Sequence, residues 1–281
     1  RRSSDLDLRQ AWDERRAEAR WLRETLVLGL LAAKEAQRAG VPQGERLSAL
    51  ERIGPGRFLV HLGRLASAGD PGSLLATRRL GVSWAGGTEA PSTRWVAMRG
   101  PEAVSQALSE ELRAISTAEA HLEGRWRNWR AEMQRTHRVS HHPFVRRQPS
   151  GRIELWLVPF TTDPAQIVLG GDYRLILDRT GRRVESFAPI HAGMTRIAPK
   201  APAGGLGPKP EVRNHEHGGL EGDLPTASDL LKIATSPALR GLAVIGPRYA
   251  LLVSIAPGGA DWEGLLYFSD RFRELLDTGS R

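Results

Sequence analysis

Cysteine is absent from this 281-residue chain. That excludes a disulfide framework, a thiolate zinc finger, an iron–sulfur site and a cysteine nucleophile. Long apolar runs are missing as well. The run at residues 26–33 (LVLGLLAA) is closed by Lys34, far short of the roughly 20 residues a membrane-spanning helix needs. Lysine is scarce: among 40 basic residues only Lys34, Lys200, Lys209 and Lys232 are lysines, so arginine carries the positive charge. Codon usage in a GC-rich genome accounts for such a bias. No Gly-x-Gly-x-x-Gly follows a strand, and neither a P-loop nor a Gly-x-Ser-x-Gly occurs, so nucleotide binding and serine hydrolysis lack their signatures. The chain opens on Arg1 rather than Met, which leaves its native start, and a signal or anchor ahead of it, open.

What is there suffices for a sizeable core: 40% hydrophobic and 26% charged residues are ordinary for a globular protein of one large or two smaller domains. The net charge is +8, and most of it is local. Residues 125–152 hold eight arginines against the single carboxylate of Glu132.

Helical spacing of Leu8, Trp12, Ala19, Leu22, Leu26, Leu30 and Ala33 predicts one long helix over residues 5–40, stopped by Gly40 and Pro42. Residues 42–100 are rich in Gly and Pro, with strands expected at 58–62 (FLVHL) and 94–98 (RWVAM). A second helix is expected over 101–134, its acidic start and arginine-rich end matching the helix dipole. The basic stretch after it, with Pro143, Pro149, Ser150 and Gly151, reads as a linker. The division is therefore 1–150, a helical region with a basic end, and 151–281, a small mixed α/β domain. There a strand is expected at 153–160, a hairpin about Asp178-Arg179-Thr180-Gly181, a Pro/Gly-rich loop over 194–211, a helix over 226–235, strands at 242–245 and 249–255, and a closing helix over 268–277.

One stretch carries chemistry: N-H-E-H-G-G-L-E-G-D-L-P-T-A-S-D, from Asn214 to Asp229. If His215-Glu216-His217 ends a strand, the two imidazoles share a face. The glycine-rich loop can then bring back the next helix, with Thr226 as its cap and Asp229 in its first turn. Two imidazoles and a carboxylate make a three-ligand set for Zn²⁺ that leaves a fourth position for water. Thr226-x-x-Asp229 is equally a capping box that needs no metal.

His215-x-His217, a short loop, Thr226-x-x-Asp229 opening a helix, then an apolar strand resembles the His-x-His, Ser-x-x-Asp signature of JAB/MPN (JAMM) metalloproteases. The resemblance covers about residues 155–255. It implies an α+β protein whose C-terminal domain has a JAB/MPN-like central sheet and zinc on His215, His217 and Asp229. The implied activity is hydrolysis of an amide or isopeptide bond in a peptide or protein substrate. Thr226 stands where the family has a serine that helps polarise the scissile carbonyl. The family's glutamate base has no counterpart in the run 167–172 (IVLGGD); Glu185 and Glu221 are the available substitutes, and without a base the domain would be inactive. The alternative is a non-catalytic binding module. There Arg125, Arg127, Arg130, Arg135, Arg138, Arg146 and Arg147 would meet nucleic acid or an acidic protein.

Overall fold

A computed structural model describes residues 2–268 apart from 68–69, 87–88, 138, 162, 164–165, 192–193, 198–210, 217–223, 237–238, 247 and 257–260; side chains are described outside 2–7, 124–137, 211–216, 240 and 266–268. The chain is mixed α+β, built from long helices and several mainly antiparallel sheets. No helix among the described residues is long and apolar enough to cross a membrane.

Helix α1 (Arg2–Arg38, 37 residues) serves two cores on nearly opposite faces. Ala19, Leu22 and Leu26 pack into one, Leu28, Ala32 and Ala36 into the other. At 100° per residue, Leu26 and Leu28 are about 200° apart. The single stripe expected through Leu30 and Ala33 is therefore not continuous: Leu30 is 63% exposed, because the buried face switches two residues before it. Gly40, at φ 65°, ends the helix. Val41 N–H reaches back to Ala36 C=O (2.9 Å) and Gly40 N–H to Gln37 C=O (3.1 Å), the double closure that a left-handed glycine permits.

The second half of α1 lies on an antiparallel sheet of β1 (Leu47–Gly54), β2 (Arg57–Leu65), β3 (Leu74–Ser83) and β4 (Ser92–Val96), in that order, with β5 (Glu102–Ala103) against β3. Phe58, Val60 and Leu62 of β2, with Leu80 and Val82 of β3, alternate onto the helix face. Helix α2 (Gln106–His137) starts later than expected. Residues 102–103 are taken into the sheet, and Ser105 Oγ accepts from Leu108 N–H (3.3 Å) as the opening cap.

A second sheet has the order β10-β9-β7-β6, from β6 (Val139–Arg147), β7 (Ile153–Thr161), β9 (Tyr173–Leu177) and β10 (Val184–Pro189). β7 is buried on both faces. Ile153, Leu155 and Leu157 meet Ala114, Ala118 and Leu122 of α2, while Trp156 and Val158 join the core under α1. The small alanines let helix and sheet approach closely. In the β9–β10 turn, the carbonyl of Gly181 (φ 71°) accepts from the Thr117 hydroxyl (2.7 Å).

The basic stretch expected as a linker is instead β6, paired along its whole length with β7. The division placed at residue 150 thus falls in the turn of one hairpin, where Gln148 N–H donates to Arg152 C=O. Its described arginines are ion-paired within the chain. Arg146 pairs with buried Glu154 (2.7 Å) and lies over the Trp21 ring (4.5 Å). Arg147 pairs with Glu110 (2.8 Å). The side chains of Arg125, Arg127, Arg130 and Arg135, and all of Arg138, lie outside the described residues.

Beyond this sheet, β8 (Ile167–Gly170) pairs with β11 (Met194–Ile197), at the start of the stretch expected as a loop. A last sheet has the order β12 (Glu211–Glu216), β13 (Leu239–Ile245), β14 (Tyr249–Ile255), β15 (Trp262–Phe268), with helix α3 (Ala227–Thr235) between β12 and β13. β12 and β13 are parallel, so α3 is a crossover helix. Residue 268, where a closing helix was expected to begin, is the last of β15; residues 269–277 lie outside the described residues.

Candidate functional site

The first turn of α3 meets the ends of two other elements in a closed polar cluster. Thr226 caps the helix. Its Oγ1 accepts from Asp229 N–H (3.2 Å), and Asp229 Oδ2 accepts from Thr226 N–H (2.8 Å) and Thr226 Oγ1 (2.9 Å). The capping box is thus complete in both directions. Leu230, Leu231 and Ile233 carry the apolar face of α3 into the core shared with α1. Ser228, Asp229 and Lys232 share the other side at i, i+1 and i+4.

Asp172 and His191 arrive from the β9–β10 hairpin. Gly170 and Gly171, both at φ above 70°, turn the chain from β8 into β9 and set Asp172 at the hairpin's open end. There Ile190 N–H donates to Asp172 C=O (2.9 Å). The adjacent His191 is bonded through Nδ1 to Asp172 Oδ1, and its Nε2 lies 3.6 Å from Asp229 Oδ2. Ser228 Oγ donates to Asp172 Oδ2 and lies 2.8 Å from Thr226 Oγ1. Lys232 Nζ donates to Pro159 C=O of β7 and sits 3.6 Å from the centre of the Phe160 ring. All six side chains are buried, none more than 5% exposed.

Two carboxylates, one imidazole and one amine this deep must compensate one another. Burial alone would lower the His191 pKa, but hydrogen bonds to Asp172 and Asp229 and their charge push it up to about 11, so the ring is an imidazolium. Burial pushes Lys232 down to about 7, against the pull of the same two carboxylates. The Ser228 hydroxyl is directed to Asp172 rather than to the imidazole, which does not match a serine–histidine nucleophile pair.

Among the residues expected to act, Thr226 and Asp229 meet here. The Thr226 hydroxyl is bonded to Asp229 and orients that carboxylate. Glu185 does not join them. It is on β10, where Arg152 (2.8 Å) and Arg183 (3.6 Å) pair with it. Four strand residues, about 13 Å, separate it from Pro189, which sits opposite Tyr173. Glu185 is thus ion-paired on the edge strand of its sheet. His215 lies on β12, opposite Val244 of β13. Its side chain, His217 and Glu221 lie outside the described residues. Among the described residues no three His, Asp or Glu side chains are grouped to hold a metal ion.

Asp172, His191, Ser228 and Lys232 were not anticipated. Two of them left a trace: Asp172 is a lone acid after a double glycine closing an apolar run, and Lys232 is one of four lysines in an arginine chain, set on a buried helix face. No family model, curated protein or solved structure matches this chain.

Proposed function

We propose that β12, α3 and β13 carry a zinc-dependent hydrolytic site of the JAB/MPN kind, with His215, His217 and Asp229 as metal ligands and an amide or isopeptide bond as substrate. The observation that carries this reading is the parallel crossover. A helix linking two adjacent parallel strands begins over the carboxyl end of the first strand. That end of β12 is where His215 stands, and the helix start is where Asp229 is buried.

Metal-ligating carboxylates are held by outer hydrogen-bonding partners, and Asp229 has them in Thr226 and His191. A zinc ion in such a set lowers the pKa of bound water and polarises a carbonyl. The chain's own groups then position and compensate. Thr226 fixes Asp229, and His191 joins it to Asp172. Ser228 and Lys232 hold Asp172 and the helix against β7.

The test is metal content. The purified chain should hold about one equivalent of zinc, and chelation should lower its thermal midpoint. Both effects should be lost in Asp229→Asn. Negligible zinc with a midpoint indifferent to chelator would leave Thr226 and Asp229 as a helix cap alone and overturn the reading.

A further inference from the structure

Helix α1 passes from one core to the other between Leu26 and Leu28, and at that handover two strand edges line one gap. β1 is an edge of the first sheet and β6 an edge of the second, paired only with β2 and with β7 among the described residues. The cavity between them is about 500 Å³. Ala49 and Leu50 of β1 join the cores under α2 and α1 respectively, and so do Val145 and Phe144 of β6. The two helices therefore cover opposite faces of both edges. From α1 the gap meets Trp21, Thr25 and Gly29, and from α2 Leu108, Leu112 and Ile115, each set a stripe at helical spacing.

The strand residues at the gap are consecutive: Ser48, Ala49 and Leu50 on β1, Val145, Arg146 and Arg147 on β6. Successive side chains of a strand point to opposite faces. A space touched by three in a row lies along the backbone edge, not over a face of the sheet. Pro143 and Pro159 have no N–H to give, so the opposed pairs Pro143/Leu157 and His141/Pro159 are non-hydrogen-bonded rungs of the β6–β7 ladder. By the same alternation Val145 turns its N–H and C=O, and Pro143 its C=O, towards the gap. None of these groups is bonded among the described residues, and the Arg147 Nε–H is buried and unbonded as well. Charge does not select the occupant. Arg52 is matched by Glu24, Arg146 by Glu154 and Glu18, and Arg147 by Glu110 with Glu111 nearby. The free backbone does select it, because unpaired N–H and C=O groups along an edge are a template for another strand. The edge is also reachable: Leu47 and Ile53, near the two ends of β1, are each 49% exposed.

We infer that the gap takes an extended peptide segment of a partner protein, which adds to the β6 edge as a further strand. Its main chain bonds Val145 and Pro143. Its alternate side chains pack on Leu112 and Ile115 towards α2, and lie over Thr25 and Gly29 towards α1. Residues 142–147 line the gap, about 20 Å of strand, so the segment is about five or six residues long. Above Gly29 the space is free, since a Cβ built there meets no atom within 4 Å.

Titration of the full chain with the acetylated, amidated peptide KTVTVTK, whose valines share one face, tests this. Binding should be saturable with Kd below about 1 mM, and the Val145 amide should gain at least about tenfold protection from hydrogen exchange. The same peptide methylated on its three central backbone nitrogens keeps its side chains and loses its donors, and should bind at least about tenfold more weakly. Gly29→Leu fills the gap with a better helix former, so it should keep or raise the thermal midpoint while weakening the peptide by about tenfold or more. No saturable binding up to about 5 mM, equal binding of the methylated peptide, or undiminished binding to Gly29→Leu would each overturn the inference. Dimerisation of the free chain that Gly29→Leu abolishes would put a strand of a second copy in the gap and overturn it too.

Discussion

Replacing Glu111 with Gln should stabilise the protein, and only at high pH. The carboxyl is raised from 4.5 to about 7 by burial. Between those values the folded chain keeps a proton that the unfolded chain has shed, so stability falls as pH rises. That difference sets a ceiling of about 3 kcal/mol, fully expressed above pH 7 and absent below pH 4.5. Glu111 is only part-buried, so solvent screens its charge and about 2 kcal/mol is the expected gain in Glu111→Gln at pH 8. For a chain of this size that is a rise of roughly 4–8 °C in thermal midpoint. Calorimetric or fluorescence melts of both proteins from pH 4.5 to 8 measure it. The two curves should coincide at the acid end and part steadily as pH rises. A constant offset, or a mutant less stable at pH 8, refutes the reasoning that burial of Glu111 outweighs the attraction of Arg147.

Other substitutions probe the frame. Gly181→Ala combines a positive φ with a new Cβ only 2.2 Å from the Glu110 carbonyl oxygen. It should cost more than about 2 kcal/mol and loosen the β9–β10 turn from α2, read by hydrogen exchange. Glu154→Ala leaves Arg146 and Arg174, each 2.7 Å from it, without their shared buried partner, so a loss of about 3–5 kcal/mol is expected in denaturant melts. Thr226→Ala should cost about 1–2 kcal/mol by removing the α3 cap, and Thr226→Ser should restore most of it. Equal stability of Ala and Ser at that position would show that the Thr226 hydroxyl does not hold Asp229.

Elements set by neighbouring residues were legible in the sequence. Gly40 ended α1, Thr226 and Asp229 opened α3, and the turn at Asp178-Arg179-Thr180-Gly181 closed a hairpin, each through bonds within a few positions. What escaped depends on distant partners. β6 read as a linker because of Pro143 and the turn residues after it, yet an edge strand accepts a proline, and its pairing partner β7, with Glu154 opposite Arg146, lies beyond the turn. α1 looked like one stripe because nothing local marks the handover from one core to another between Leu26 and Leu28. In the site, Thr226 and Asp229 were visible through their spacing. His191 was not, since it reaches Asp172, 19 positions earlier, only through the pairing of β9 with β10. No motif places Glu185, and the register sets it four residues along β10 from the end that faces Tyr173.

The account rests most heavily on His215, His217 and Asp229 sharing one ion, and X-ray absorption at the zinc edge tests that directly. The purified chain should show two imidazole nitrogens and a carboxylate oxygen at about 2.0–2.2 Å from zinc, with the imidazole signal gone in the His215→Ala, His217→Ala double variant. A zinc-free protein, or a spectrum that the double variant leaves unchanged, contradicts the account.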